Sequence, residues 1–200
     1  MQDASPLTLP LRLPTAELLL LRHGIAEPRE DGRADAARAL TPAGRRRCAA
    51  VLTRLRQRGL AADRLFSSPL VRARQTAELA LQAELAPSLE LAEALAPGGS
   101  PLSQLATWLD VVPARAGQRP RLLLVGHEPD LGNLACALIG APAGSITLRK
   151  AGLALLRCGG ATVREAALDA AEDKPQQAPR RLASLRLLLT PALLVGGGGA

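Results

Sequence analysis

The fold of this chain is decided by the stretch ELLLLRHGIAE, residues 17–27, in which four leucines run directly into Arg22, His23 and Gly24. A short apolar run of this length predicts a buried parallel strand. Ligands of open α/β sheets bind just outside the carboxyl ends of the strands, so these three residues would emerge where ligands usually bind. We hypothesise that His23 is a nucleophile toward phosphorus. Because an Arg-His-Gly sequence is also an ordinary strand-to-loop junction, the hypothesis needs partners elsewhere in the chain.

Arg72 follows a second predicted strand. Residues 63–68 predict a short strand, and residues 71–80 predict a helix. Arg72 falls in the first turn of that helix, where free backbone N–H groups and the helix dipole already favour an anion. The chain therefore places a second cation at a strand–loop–helix junction.

His127 ends a third strand of the same design. The stretch RLLLVGH, residues 121–127, repeats the opening pattern of an apolar run that ends in glycine and histidine, and residues 131–139 predict a helix after it. The chain has only two histidines, and both end strong apolar strands. Random placement would rarely produce this arrangement, so a shared site is favoured over a buried core role for His127.

The alternation of strands and helices predicts an α/β fold with a mostly parallel central sheet. Residues 153–157 and 182–189 also read as strands, and as a hairpin they would add an antiparallel edge to the sheet. We expect a flexible lead-in over residues 1–16, one domain over residues 17–195 and a flexible glycine tail over residues 196–200.

The composition limits the classes of partner. A net charge of +7 and a pI near 10.8 favour anionic partners in general. Aromatic residues make up only 1% of the chain, which argues against nucleic acid because single-strand binders stack bases on aromatic rings. No apolar run approaches the roughly 18 residues that span a bilayer, and the N-terminus lacks a signal-peptide pattern. We therefore expect a soluble protein with no membrane partner.

The cysteines indicate a reducing compartment. Cys48, Cys136 and Cys158 are odd in number and widely spaced, without a CxxC pair. This pattern argues against both a disulfide framework and a zinc site. We expect a cytoplasmic protein in which Cys48 and Cys136 are core residues.

Two imidazoles and two arginines suit phosphoryl transfer, which is catalysed mainly by positioning and by neutralising the phosphate oxygens. Guanidinium groups give paired hydrogen bonds to phosphate. Neighbouring cations would lower the pKa of His23 and keep it unprotonated, and Gly24 would let the substrate approach the backbone closely. No carboxylate cluster has magnesium-like spacing. We therefore expect neither a metal nor another cofactor.

Three motifs, in order, resemble those of the histidine phosphatase superfamily, which is also called phosphoglycerate mutase-like. They are LRHG at 21–24, SSPLVRARQTA at 67–77 and GHEPD at 126–130. Three further segments resemble the SixA-type phosphohistidine phosphatases: LTPAG at 40–44, LAPGG at 95–99 and KAG at 150–152. The resemblance covers nearly the whole domain. It implies a three-layer α/β/α sandwich with a mostly parallel sheet and an antiparallel edge.

The resemblance also implies roles for individual residues. His23 would carry the phosphoryl group transiently, and water would then release it. Arg22, Arg72 and His127 would surround the phosphate, with Gly24 beside it.

The general acid is the open point, because breaking a phosphate ester requires protonation of a poor leaving alcohol. Glu93 occupies roughly the place where mutase-like relatives keep a glutamate, and it is the first candidate. Glu128 resembles the position of the proton donor in the acid-phosphatase branch, and it is the second. A phosphohistidine leaves as imidazole and depends less on a strong acid, so the lack of an unmistakable acid favours a phosphohistidine substrate.

The leading hypothesis is therefore a phosphatase that acts on phosphohistidine in a protein. The first alternative keeps the mechanism and changes the substrate to a small phosphomonoester or a nucleotide. Residues 25–39 and 96–99 would rim the site and decide between these substrates. A non-catalytic phosphate-binding module is less favoured, because both histidines and both arginines are present. The sequence makes no prediction of the oligomeric state.

Overall fold

A computed structural model describes residues 13–113, 117–159 and 181–195. Residues 1–12 of the predicted lead-in and the whole predicted glycine tail lie outside these residues. Within them, six strands form one sheet: β1 (Ala16–Arg22), β2 (Arg64–Ser67), β3 (Glu90–Leu91), β4 (Arg121–Gly126), β5 (Leu153–Cys158) and β6 (Ala183–Leu189). Five α-helices accompany it: α1 (Pro42–Gln57), α2 (Val71–Gln82), α3 (Pro101–Asp110), α4 (Asp130–Ile139) and α5 (Pro191–Val195).

The sheet has the strand order β3-β2-β4-β1-β5-β6. The first four strands are parallel, β5 runs antiparallel to β1, and β6 runs antiparallel to β5. The predicted mostly parallel sheet with an antiparallel hairpin at one edge is therefore confirmed. The structure adds that β5 is the reversed strand, because two reversals make the outermost β6 run in the same direction as β1.

The leucines of β1 serve two separate cores. Leu18 and Leu20 pack on one face of the sheet with residues of α3 and α4, while Leu19 and Leu21 pack on the other face with residues of α1, α2 and α5. Because both faces of a central strand are covered, its sequence is continuously apolar rather than alternating. The layers are helix, sheet and helix, as the resemblance implied.

The helix α1 forms where a cap and an apolar face coincide. The side chain of Thr41 accepts a hydrogen bond of 2.9 Å from the Gly44 N–H, and Pro42 occupies the first turn. One face of the helix is buried, including the predicted core residue Cys48. Residues 85–95, which have no regular apolar period, contain only the two-residue strand β3 and a short 3-10 turn at Glu93–Leu95.

The three predicted junctions lie side by side. Strand β4 is hydrogen-bonded to β1 on one side and to β2 on the other, so the carboxyl ends of all three meet at one edge of the sheet. The pairing continues one residue further, since the His23 N–H donates to the Gly126 carbonyl (3.0 Å) and the Ser68 N–H donates to the Val125 carbonyl (2.9 Å). Segments that are distant in sequence are thereby brought together.

The opposite end of the sheet is held by a buried carboxylate. Glu17 at the start of β1 is 7% exposed and accepts hydrogen bonds from Arg121 on β4 (2.6 and 2.9 Å) and Arg157 on β5 (3.3 Å). Burial alone would raise the pKa of Glu17, but the two guanidinium groups outweigh it and the net shift is downward. The charged form of Glu17 therefore ties three strands together.

Replacing Glu17 by Gln should lower the free energy of unfolding at pH 7 by about 1–3 kcal/mol, because two guanidinium groups lose their counter-charge. The folded-state pKa of Glu17 lies below its ordinary value of 4.5, so this contribution is present above pH 4.5 and is lost as the pH falls through the folded-state pKa. Urea unfolding at pH 7 and pH 3 should show the difference between the two proteins narrowing at the lower pH.

Glu90→Gln is the matched control, since Glu90 pairs with Arg64 on the exposed surface at 2.9 Å. It should cost less than about 1 kcal/mol at pH 7. An equal loss in both variants, or a loss in the Glu17 variant that does not depend on pH, would contradict this account.

Candidate active site

The imidazole of His23 is buried and oriented by its own loop. Its Nδ1 lies 2.7 Å from the Gly24 carbonyl oxygen. Because a carbonyl oxygen can only accept, Nδ1 must carry the proton, and the lone pair is left on Nε2. The Nε of Arg72 lies 3.4 Å from this Nε2. The unprotonated nitrogen of the ring is therefore turned toward a buried guanidinium.

Arg72 projects from the first turn of α2 and is 4% exposed. Its Nη1 donates to the Asp35 carbonyl (2.7 Å), and its Nη2 donates to Asp35 Oδ2 (2.9 Å). The sequence predicted Arg72 at this place but missed Asp35. That residue lies in the loop 25–39, which was expected to rim the site, but no local sequence pattern marks it as a partner of Arg72.

His127 and Arg22 complete the cluster. The ring centroids of His23 and His127 are 5.0 Å apart, and His127 Nε2 lies 2.8 Å from the Ser68 hydroxyl. Arg22 Nη1 donates to the Leu148 carbonyl at 2.8 Å. In the described part of the chain, His127 Nδ1 and Arg22 Nε are buried without a hydrogen-bond partner. Buried polar atoms are nearly always hydrogen-bonded, so these two fit a site whose ligand brings hydrogen-bonding oxygens.

Both histidines are neutral at neutral pH. Burial is the main reason that the pKa of His23 falls to about 3. Repulsion from His127, which is itself protonated at so low a pH, and from Arg72 and Arg22 lowers it further. The pKa of His127 falls to about 4 through burial first and then through Arg72. The expected lowering of the His23 pKa by nearby cations is therefore present, although burial contributes more.

Gly24 is required by close packing. A Cβ at this position would lie 2.4 Å from Cys48 Sγ and 3.2 Å from Leu40 Cδ2. Its N–H donates to Thr76 Oγ1 (3.1 Å), and the Thr76 hydroxyl donates to the Arg72 carbonyl (2.8 Å). Thr76, which the sequence analysis did not single out, thus links the His23 loop to the helix that carries Arg72.

A strained turn supports the backbone of Arg22 and His23 from the other side. Ala151 has φ 58°, in the left-handed region, and its N–H lies 3.1 Å from the carbonyl oxygens of both Arg22 and His23. The Gly152 carbonyl accepts from the Arg22 N–H at 3.1 Å. The KAG motif at 150–152 therefore holds the junction after β1.

The two candidate acids lie in different surroundings. Glu93 is exposed in the 3-10 turn after β3, and within the described residues no hydrogen bond or ion pair connects it to the histidines. Glu128 follows His127 directly, and its Oε1 is buried without a partner there. Burial raises the pKa of Glu128, opposed by the Leu148 N–H and by the charge of Arg22. The structure therefore does not join Glu93 to the cluster, whereas the charge of Arg22 acts on the pKa of Glu128.

Among the described residues, no group of three or more His, Cys, Asp or Glu side chains could hold a metal ion. Among the helices in that part of the chain, none has the length and apolar character needed to cross a membrane.

Comparison with known proteins assigns the family. The family model of the histidine phosphatase superfamily (branch 1) matches residues 18–96. The chain belongs to this superfamily. It is accordingly a phosphatase, a hydrolase of phosphorylated substrates. An uncharacterized protein of Picosynechococcus sp. is 43% identical over 149 residues, which are 74% of this chain and 88% of that protein.

Solved structures of the superfamily share the fold. The protein histidine phosphatase SixA complexed with tungstate matches with a TM-score of 0.66 at 20% identity, over 89% of this chain and 99% of that chain. The alpha-ribazole phosphatase of Shigella flexneri matches with a TM-score of 0.56 at 18% identity, over 88% of this chain and 97% of that chain. The first likeness confirms the predicted resemblance to the SixA fold.

The two lowered histidine pKa values can be tested directly, because His23 and His127 are the only histidines in the chain. In a tag-free protein, we expect neither Cε1–H proton resonance to titrate between pH 5 and pH 8, since the folded-state pKa values are about 3 and about 4. The same protein in urea should show both titrating near the ordinary value of about 6.5. A midpoint near 6.5 for either ring in the folded protein would contradict the described burial.

The packing of Gly24 predicts a compensating pair of substitutions. Gly24→Ala should destabilise the protein by about 1–3 kcal/mol, because its Cβ would meet the Cys48 sulfur. In a Cys48→Ala background the same change should cost less, because the sulfur is gone. Urea unfolding of the wild type, both single variants and the double variant gives the coupling energy. Strictly additive losses would show that Cys48 is not the obstacle.

Proposed function

We propose that His23 is the phosphoryl acceptor of this phosphatase. The observation that carries the proposal is the geometry of its ring: Nδ1–H is donated to the Gly24 carbonyl, and the Nε2 lone pair faces Arg72 in a buried site. Because the pKa of His23 is low, Nε2 is not protonated at neutral pH. A neutral, oriented imidazole is what nucleophilic attack requires.

The cations around His23 would stabilise the transferring group. Arg72 would donate to the phosphoryl oxygens from beside Nε2, and Arg22 would use its unpaired Nε. His127, held by Ser68, would approach the same oxygens as a neutral ring. Because charge spreads over the equatorial oxygens as the phosphoryl group transfers, such fixed donors lower the barrier.

The reaction would proceed in two displacements. First, His23 Nε2 forms a bond to phosphorus as the bond from phosphorus to the leaving group breaks. Water then attacks phosphorus, the bond to Nε2 breaks, and inorganic phosphate leaves with the protons of that water. His23 returns to its starting form with its proton still on Nδ1. We assign this activity to the predicted domain, residues 17–195.

We propose phosphohistidine in a protein as the substrate. In the described part of the chain, no carboxyl group is hydrogen-bonded to His23. Asp35 is bonded to Arg72, and its pKa of about 2 leaves it without a proton at neutral pH. A phosphorylated imidazole that is protonated on its second nitrogen leaves as neutral imidazole and needs no further proton. A site rich in cations and poor in proton donors therefore suits this leaving group best.

A small phosphomonoester is the second candidate. The observation that favours it is the raised pKa of Glu128, the residue that follows His127 in the sequence, because a buried carboxyl can keep a proton for a leaving alcohol. The fold shared with the alpha-ribazole phosphatase is compatible with such a substrate.

The cytoplasmic location, like the absence of a metal requirement, stays a prediction from the sequence.

The deciding experiment compares kcat/KM on a histidine-phosphorylated protein with kcat/KM on an aryl phosphomonoester, with chelator present. We expect the phosphohistidine protein to be preferred. His23→Ala should lower activity on either substrate by about 10³-fold or more, because the nucleophile is removed. Trapping ³²P on the wild type but not on this variant would identify the intermediate.

Glu128→Gln and Glu93→Gln separate the two substrate classes. Neither change should lower kcat on the phosphohistidine protein by more than a few-fold. A preference for the ester, with kcat strongly reduced in Glu128→Gln, would establish the second candidate instead. Normal activity in His23→Ala would overturn the mechanism altogether.

A further inference from the structure

Asp35, which the reaction scheme above does not use, lies at the centre of a cluster of arginines that includes Arg72. Its Oδ1 accepts from Arg38 (2.8 and 2.9 Å) and from Arg29 (3.1 Å), and its Oδ2 accepts from Arg72 (2.9 Å). Its backbone carbonyl accepts from Arg72 as well, at 2.7 Å. One residue of the loop thus binds both terminal nitrogens of Arg72.

We propose that Asp35 is a positioning residue that holds the Nη edge of Arg72 and thereby turns its Nε toward the Nε2 of His23. This inference rests on the proposed function of His23. The guanidinium group is planar and rigid, so two bonds to its Nη atoms also fix the direction of its Nε–H. That direction leads to the reacting nitrogen, 3.4 Å away.

Arg38 orients the carboxylate of Asp35. Arg38 donates from Nε and Nη2 to Oδ1, which leaves Oδ2 for Arg72, and its Nη1 donates to the Glu27 carbonyl at 2.7 Å. Because the Arg38 guanidinium is hydrogen-bonded both to Asp35 and to the Glu27 carbonyl, the Asp35 side chain has little freedom to rotate away from Arg72. Asp35 therefore presents one defined oxygen to Arg72.

The loop that carries Asp35 is itself fixed to the fold. Its two ends are joined where the Glu27 N–H donates to the Ala39 carbonyl at 2.9 Å. The Leu40 N–H donates to Gln75 Oε1 at 2.8 Å, and Gln75 lies on α2, the helix that carries Arg72. Asp35 and Arg72 are therefore held on one connected framework, which suits a positioning function.

The negative charge of Asp35 should weaken the binding of phosphate in the ground state, although the contact with Arg72 should favour phosphoryl transfer. Burial favours the neutral carboxyl, but the hydrogen bonds from Arg38 and Arg72 outweigh it and lower the pKa of Asp35 to about 2. Asp35 is thus a permanent anion that partly neutralises Arg72. Without that charge, Arg72 should attract phosphate at least as strongly while being less well aimed for transfer.

The test compares Asp35→Asn with Asp110→Asn. Asp110 ends α3, outside the loops that rim the site, and is exposed; the described part of the chain offers its side chain no hydrogen bond or ion pair, so this variant matches the charge change alone. Asp35→Asn should lower kcat by about 10- to 100-fold on whichever substrate the wild type turns over best. The inhibition constant of inorganic phosphate should stay equal or fall. Asp110→Asn should leave both quantities unchanged.

Arg38→Gln supplies a second variant in case Asp35→Asn does not fold. It leaves the Arg72 bonds in place and leaves the exposed Arg29 as the remaining partner of Asp35 Oδ1, so the carboxylate is held less firmly and kcat should fall by a smaller factor in the same direction. Adding Arg38→Gln to Asp35→Asn should then cost less than it costs in the wild type, because both changes act through one contact.

Two results would overturn the inference. One is unchanged kcat in Asp35→Asn. The other is a loss of kcat accompanied by a proportionate weakening of phosphate binding, which would indicate general damage to the site.

The proposed function fails separately, if the wild type shows no turnover on any phosphorylated substrate. In that case, calorimetry with inorganic phosphate still tests Asp35, because weaker binding in Asp35→Asn would reject the charge argument.

Discussion

The arrangement of the site depends on the hydrogen bond between His23 Nδ1 and the Gly24 carbonyl, because this bond decides which ring nitrogen carries the lone pair. It can form only if the backbone turns sharply after β1. That turn is held by the Ala151 N–H on one side and by the Thr76 hydroxyl on the other. The close approach of Gly24 to Cys48 on α1 then fixes the loop against the helix layer. A single side-chain orientation is therefore maintained by contacts from three separate segments.

A buried and a half-buried guanidinium group lie beside two imidazoles, so positive charge is concentrated where water is scarce. The fold compensates the two charges in different ways. Arg72 receives a direct counter-ion in Asp35. Arg22 instead donates to the Leu148 carbonyl and feels Glu128 only through its longer-range charge. As a result the site retains positive potential without two unpaired buried cations. The neutral forms of the histidines follow from the same crowding, since a further positive charge would be unfavourable there.

The sequence predicts the part of this site that depends on local pattern. Apolar runs identify β1 and β4, and the rule that parallel strands end at a common edge places His23 and His127 together. Asp35 was not predicted, because its contact with Arg72 spans 37 residues and comes from a loop without periodicity. Glu93 follows a strand of only two residues, so its direction depends on tertiary contacts that no local pattern encodes.

The same physics bears on the substrate. A carboxyl group can donate a proton only if it keeps one, and proximity to a guanidinium removes it. Asp35 is therefore unsuitable as an acid because it holds Arg72 so closely. Arg22 donates its hydrogen bond to the Leu148 carbonyl and not to the Glu128 carboxylate. Its charge therefore lowers the pKa of Glu128 less than burial raises it. Under the proposed mechanism, such a site favours leaving groups that need little protonation, and Glu128 is the residue that would extend the reaction to phosphate esters.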